Sequence, residues 1–391
     1  MLGINSNINS LVAQQNLTGS GSALSQAITR LSSGKRINSA ADDAAGLAIS
    51  NIMQTQINGL NQGVSNSNDG VSLVQTASSG LSSLTSSLQR IRQLATQAAN
   101  GSMTADDRAA LQQEVNQQVS EINRIASQTT YNGMNVLNGS LGTVSFQVGA
   151  NVGQTISLSL SQNMSAASIG SGVPQAGQTL GTFSGLSLSS AGASVAASAA
   201  TVTSINVVSD GSGGFTFTDQ NNQALSNTAV GALFTATGAS GTSGNAIQGS
   251  GGAVSLSIAA AFNTAVGSGA SAALATVDTQ VNAYNVPTDV ANVDISTASG
   301  ASMAMESIDN ALNTLNNLQA TLGAAQNRFT AIGTTQQAQS TDLSTAQSSI
   351  QDANFAEETA NLSKAQVLQQ AGISVLAQAN SQPQQILKLL Q

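Results

Sequence analysis

The side chains that most often do chemistry are scarce in this 391-residue chain: it has no His and no Cys, and 7% of its residues are charged. That removes the commonest general base, the commonest metal ligand and the thiol nucleophile together. Ser is abundant, but no base is identifiable that would activate one of them. What remains is adjacent carboxylates: Asp42 and Asp43, Asp106 and Asp107, Glu357 and Glu358. Neighbours along a helix do not face one another, so these pairs read as helix-start or solvated charges. The expectation is a protein that is not an enzyme and has no cofactor and no metal.

The charges near the N-terminus are placed where they could organise helix ends. Before Arg90 the chain carries only Arg30, Lys35, Arg36, Asp42, Asp43 and Asp69, and four of these lie in LSSGKRINSAADDAAGLAIS, residues 31–50. A helix ends in unpaired carbonyls, which favour cations, and begins in unpaired N–H groups, which favour anions. Gly34 can take the left-handed position that stops a helix, with Lys35 and Arg36 directly after it. Ser39 then reads as an N-cap, with Asp42 as its capping-box partner and Asp43 also in the first turn. The segment is predicted to be a joint between two helices.

Apolar periodicity supplies the elements around that joint. Leu24, Ile28 and Leu31, then Leu81, Leu84, Leu88 and Ile91, fall at helical spacing and predict helices at about 4–33 and 44–99. NGSMTADD interrupts them, with Gly101 as a stop and Thr104 to Asp107 as a second capping box. Leu111, Val115, Val119, Ile122 and Ile125 then resume the pattern, which makes an antiparallel helix hairpin. In VSFQVGANVGQTISLSL the period changes to two around a Gly-containing turn, the signature of a β-hairpin. Near the other end, Met305, Ile308, Leu312, Leu315, Leu322 and Phe329 mark one helix, and Ile350, Leu368, Val375 and Leu376 another.

Between these helical ends lies a different middle. The three prolines are Pro174, Pro287 and Pro383, so neither the first 173 residues nor residues 288–382 contain that helix breaker. From about 173 to 290 the chain is rich in Gly, Ser, Ala and Thr, with alternations such as FTFTD and VSLSIAAAF. Disorder is one reading of such a composition. An ordered, mostly β insertion is preferred, because Val, Ile, Leu and Phe recur at strand spacing and charge is low.

Composition limits the partners. The formal net charge is −8, and no Lys or Arg occurs between Ile125 and Asn327, so nucleic acid and anionic membranes are poor partners. No base precedes Arg30 and no apolar core follows Met1, so no secretory signal peptide is expected, nor does any run of about 18 apolar residues suit a bilayer span. Aromatics make up 3% of the chain, with no Trp and none before Tyr131, so the N-terminal helices must pack through aliphatic side chains. Each terminal helix has an apolar stripe that it cannot bury alone, and such burial supplies most of a helix's stability in water. The stripes must meet each other or another copy of the chain. A head-to-tail contact whose rotation does not close gives an open helical filament. The reading is a fibrous subunit with paired terminal helices and an insertion between them.

Four stretches carry a resemblance: INSNINSLVAQQNL, LSSGKRINSAADDAAGLAIS, GLNQGVSNSNDGVSLVQTA and QVLQQAGISVLAQANSQPQQILKLLQ. Together they closely resemble bacterial flagellin, over roughly residues 1–165 and 295–391. The resemblance implies a mainly α fold in which long paired N- and C-terminal helices form core and rod layers, with a β-hairpin region and a central, mostly β insertion. It divides the chain into an N-terminal core helix at 1–44 and N-terminal rod helices with the hairpin at 45–172. A variable outer insertion follows at 173–290, then a C-terminal rod helix at 291–345 and a C-terminal core helix at 346–391. Lys35, Arg36, Asp42 and Asp43 would form the elbow and face neighbouring subunits. Ile386, Leu387, Leu389 and Leu390 would be buried in the assembled core.

The implied function is a structural subunit that polymerises into the extracellular flagellar filament for motility, after passage through the flagellar type III export system. The implied partners are copies of itself, an export chaperone, and the filament cap and hook-junction proteins. QRIRQLATQAAN, residues 89–100, resembles the stretch sensed by the vertebrate Toll-like receptor 5, with Arg90, Leu94 and Glu114 on matching positions. Gln93 departs from the acidic residue often found there. Some flagellin-like chains carry a zinc-protease motif in the insertion, which a chain without His cannot form. Two alternatives are a hook-filament junction protein, against which the fidelity of SSGKRINSAADDAAGLAIS and VLAQANSQPQQILKLL argues, and a secreted adhesin whose insertion is the binding module.

Overall fold

The structure is a computed structural model that describes residues 7–174, 176–237, 239–243, 245–249, 254–260, 262 and 271–389. The N-terminal part holds α1 (Ile8–Ser33), α2 (Ala44–Ala98) and α3 (Ala105–Gln128), then short strands β1 (Thr130–Tyr131) and β2 (Met134–Asn135) and the pair β3 (Gly142–Gln147) and β4 (Thr155–Leu160). The insertion holds β5 (Thr179–Leu188), β6 (Val202–Ser209), β7 (Phe215–Asp219), α4 (Asn227–Leu233), β8 (Phe234–Thr237), β9 (Ala239–Ser243), β10 (Ala246–Gly249), β11 (Ser255–Ile258) and α5 (Ser271–Tyr284). Two long helices finish the chain, α6 (Ala298–Gln351) and α7 (Phe355–Leu389). The fold is mainly α, with paired terminal helices and a strand-bearing insertion, as the sequence predicts.

The chain forms two compact units, and α2 and α6 run through both. The first unit comprises Met1–Asn68, Phe146–Ile156 and Thr330–Gln391. In it α1 packs along α7, and the start of α2 lies against the end of α6. The second contact is polar: Ser340 Oγ donates to Asn61 Oδ1 at 2.8 Å, and Gln347 Nε2 donates to the Ser50 carbonyl at 3.1 Å. The turn of the β3–β4 hairpin rests on α2 at Gly63, where a Cβ would stand 2.1 Å from the Val148 carbonyl oxygen. No side chain fits in that gap.

The second unit, Asp69–Ser145 and Ser157–Phe329, contains the apolar stripes read from the sequence. Leu81, Leu84, Leu88 and Ile91 of α2, Val115 and Ile122 of α3, and Ile308, Leu315, Leu322 and Phe329 of α6 are all fully buried. Gly70 makes room for the Phe329 ring, which a Cβ would approach to 2.6 Å. Thr104 caps α3 as predicted: its hydroxyl accepts from Asp107 N at 3.2 Å, and Asp107 Oδ2 accepts from Thr104 N at 3.1 Å.

The insertion is built around phenylalanine. Phe217 and Phe234 stack at 4.5 Å, and Phe183 and Phe262 pack edge-on or tilted against Phe234 at 5.4 and 5.3 Å. Around them β5, β6, β7, β10 and β9 form one sheet in that order, and β11 pairs with β8. FTFTD lies in β7 and SLSI in β11, as the alternation predicts. Helix α5 is an addition that the composition did not suggest. It fits against β5 because Gly181 leaves the space that Val281 occupies, and it holds the free edge of β11 through Asn282. That side chain accepts from Leu256 N at 2.6 Å and donates to Leu256 O at 2.8 Å, so it replaces a neighbouring strand.

One further assignment changes. Ile350 belongs to α6, not to the last helix, because α6 runs unbroken to Gln351. The break falls at Asp352–Asn354, where Asn354 Oδ1 accepts from Ala356 N at 3.1 Å and starts α7 without Gly or Pro.

Candidate functional site: the elbow and the outward helix faces

The elbow begins where Gly34, at φ 69° and ψ 4°, closes α1 in the left-handed conformation. The cations that follow serve α6 rather than α1. Arg36 N donates to the Gln351 carbonyl at 2.7 Å, and Arg36 Nη2 donates to the Ile350 carbonyl at 2.6 Å. Lys35 forms a β-bridge with Asp352, and Ala353 N donates back to the Gly34 carbonyl at 2.9 Å. The guanidinium thus sits at the carbonyl end of a 54-residue helix, where positive charge is favoured.

The acids of the elbow divide their work differently from the expectation. Ser39 and Asp42 do pair, with Asp42 Oδ2 accepting from Ser39 N at 2.9 Å and from Ser39 Oγ at 3.0 Å. These bonds hold the Asp42 carboxyl below its ordinary range, the Ser39 hydroxyl contributing most. They close a turn, however, and do not start the helix. The N-cap of α2 is Asp43, whose Oδ1 accepts from Gly46 N at 2.9 Å and whose carbonyl accepts from Leu47 N at 3.0 Å. Gly46 is what permits this, since a Cβ there would lie 2.4 Å from Asp43 Oδ2 and 2.6 Å from Ile37 Cδ1.

The paired terminal helices meet through small side chains and half-buried leucines, Leu17, Leu24 and Leu31 of α1 and Leu362 and Leu376 of α7. Ala13 and Ala27 of α1 and Ala365 and Ala379 of α7 are buried, and Gly372 lies against Leu17. Eight other large aliphatic side chains point out: Ile8, Leu11, Val12 and Ile28 from α1, and Val367, Leu368, Ile373 and Val375 from α7, are 50–67% exposed. Ile386, Leu387 and Leu389 fall on α7 with their side chains outside the described residues, and Leu390 lies outside them altogether.

In the second unit, Arg90 donates through Nε to Glu114 Oε1 at 2.7 Å and through Nη1 to Gln93 Oε1 at 2.7 Å, joining α2 to α3. The pair is open to solvent on both sides. Leu94 is 1% exposed and belongs to the packing beneath. Beside them Arg92 grips Asp309 of α6 with both ends of its guanidinium, at 2.6 and 3.1 Å, and this partner raises its pKa. An open, polar depression of about 960 Å³ runs along this face, lined among others by Gln89, Arg90, Gln93 and Gln97.

The comparisons with known proteins agree along the whole chain. The bacterial flagellin N-terminal helical region matches residues 4–141, the flagellin D2 domain residues 172–311 and the flagellin C-terminal helical region residues 305–390. The B-type flagellin of Pseudomonas aeruginosa is 39% identical, over 100% of this chain and 99% of its own. Flagellin E of Vibrio cholerae is 38% identical over 99% and 98%. This chain belongs to the bacterial flagellin family. A solved structure of FliC from Burkholderia pseudomallei is similar at 58% identity, with a TM-score of 0.59, covering 66% of this chain and 99% of that one. Flagellin is a structural protein family, and the chain is a subunit of the flagellar filament.

Two buried charges of this flagellin carry no local sequence signal. Glu358, one of the acids read as helix-start or solvated, does stand in the first turn of α7 but is buried, and its Oε1 faces Arg30 Nη1 at 4.0 Å. Glu306 of α6 is 6% exposed at the base of the insertion; Gln178 Nε2 donates to its Oε2, and its Oε1 has no partner among the described residues. Burial, and then the negative charge of Asp309, push its pKa up to about 7.

A raised carboxyl pKa means that the folded chain binds a proton that the unfolded chain releases. Stability from this group is therefore complete below pH 4.5 and declines up to about pH 7, by up to about 3 kcal/mol. Glu306→Gln keeps an acceptor for Gln178 and removes the titration. In melts of monomer from pH 4.5 to 8, the variant should gain on the parent as pH rises and level off above pH 7. A pH-independent difference would show that Glu306 titrates normally.

Proposed function

We propose that α1 and α7 together form the segment that is buried in the core of the assembled filament, and that the insertion is displayed outside. The observation that carries this is the inverted helix pair, with alanine in its seam and eight large aliphatic side chains 50–67% exposed. Each such side chain contributes about 1.5–3 kcal/mol when it is buried. The total exceeds what most association contacts need to offset the loss of freedom. A second copy of the same helix pair offers a matching apolar face. Ile386, Leu387, Leu389 and Leu390 extend the apolar sequence of α7 and would join the same core, while Lys35, Arg36, Asp42 and Asp43 hold the elbow and face neighbouring subunits.

Membership of the family supports a wider role. The chain leaves the cell through flagellar type III export, escorted by a chaperone that covers its C-terminal region. It assembles between the hook-junction proteins and the filament cap, and serves motility. Residues 1–44, 45–172, 173–290, 291–345 and 346–391 would be the successive core, rod and outer segments.

Two truncations test the division of labour. Deletion of residues 382–391 should leave a folded rod region and impair polymerisation. Replacement of residues 176–286 by a short Gly and Ser linker should allow thinner, less stable filaments, because loop length alters stability only weakly. Electron microscopy of both variants reads the outcome, and filaments from the first but not the second would reverse the assignment.

Free monomer would also present Arg90 and Glu114 to Toll-like receptor 5, with Leu94 supporting that surface from beneath. Interface arginines often dominate binding. Arg90→Ala should therefore lower receptor signalling while the circular dichroism spectrum is retained, and an unchanged dose response would rule this surface out.

A further inference from the structure

The α1–α7 seam contains a hydrogen bond whose need arises from a single proline. In an α-helix the N–H of each residue bonds the carbonyl four residues earlier. Residue 383 is proline and has no N–H, yet α7 continues to Leu389, so the helix has no residue-383 donor for the carbonyl of Ala379. Ala379 is buried at the seam, where an unpaired carbonyl is as costly as a lost hydrogen bond. Asn7 fills the gap, its Nδ2 donating to Ala379 O at 2.8 Å. The same side chain is the N-cap of α1, with Oδ1 accepting from Ser10 N at 3.2 Å. One amide thus satisfies the first turn of one helix and the gap in the other. Next to it, Ser10 Oγ bonds Asn380 Oδ1 at 2.7 Å.

We propose that Asn7 is a positioning residue for assembly, which sets the axial register of α1 on α7 by bonding the one carbonyl that Pro383 leaves free. The proposal rests on the reading that this helix pair carries assembly. The rest of the seam is apolar, Ala13, Ala27, Ala365, Ala379 and Gly372 with half-buried Leu17, Leu24, Leu31, Leu362 and Leu376 between them, and apolar packing has no direction of its own, so this bond adds a directional mark of register. A slip of one turn would move the outward face of α1 by about 5.4 Å against that of α7. It would also bring Asn7 to a carbonyl that α7 already uses.

The test is a double-mutant cycle read in the critical concentration for polymerisation of the full chain. Asn7→Ser keeps a good N-cap and loses the reach to Ala379. It should raise the critical concentration about fivefold or more in the parent, the value of one buried hydrogen bond. Pro383→Ala restores the missing N–H, and in that background Asn7→Ser should have little effect. If Asn7→Ser abolishes polymerisation in the parent, recovery on adding Pro383→Ala supports the proposal and failure to recover overturns it. Equal effects in both backgrounds overturn it while leaving the helix pair's role in assembly intact. No effect of Asn7→Ser in the parent overturns it in the same way, whereas normal polymerisation after deletion of residues 382–391 would overturn the reading on which it rests.

Discussion

The first unit depends on a contact between two helices from opposite ends of the chain that meet through alanine, glycine and half-buried leucine. Small side chains allow close approach but bury little apolar area, so the pair satisfies backbone geometry more than it stabilises itself. The seam leucines are only half buried, and eight further leucines, isoleucines and valines are turned outward. In water this arrangement is expensive, and another copy of the same face relieves it. Assembly therefore supplies what the fold of the single chain leaves undone, which is how a structural subunit with few charges and no aromatic residue before Tyr131 can make a long polymer.

The second unit is stabilised in the ordinary way. Its three long helical segments bury their aliphatic stripes, and charges cross between them as exposed pairs, Arg90 with Glu114 and Arg92 with Asp309. Exposed pairs of this kind add little stability but fix which helix faces which. The insertion has its own phenylalanine core and its own sheet, so its composition can differ from the helices without disturbing them. Glu306 is the exception, a carboxyl buried where the insertion meets α6 and held, among the described residues, by Gln178 alone.

Local features were legible in the sequence because their physics is local. The Thr104–Asp107 capping box, the hairpin alternation and the helical stripes each need only a few consecutive residues. The same locality misled at Ser39–Asp42, where the capping pattern closes a turn and Asp43 starts the helix, a choice decided by Ile37 and Gly46 packing around it. Ile350 was placed on the wrong helix because the break after Gln351 is made by an asparagine cap without Gly or Pro. Pairs such as Arg92 and Asp309, 217 residues apart, leave no trace in a single sequence. That the terminal helices must find partners was legible from their unburied stripes. That alanine would take the buried seam positions while eight larger residues stay outward was not, because a stripe of mixed apolar residues does not say which side chains the first partner takes.

The absence of cysteine makes the central claim directly measurable. Leu11→Cys and Ile373→Cys, introduced singly, place a thiol on the outward faces of α1 and α7, and Ser212→Cys places one on the exposed surface of the insertion. Thiol labelling rates are compared in monomer and in filament. The account predicts that all three react freely in monomer, and that polymerisation protects positions 11 and 373 while position 212 still reacts. Equal labelling of positions 11 and 373 in monomer and filament would contradict it, since the outward aliphatic faces would then remain in water after assembly.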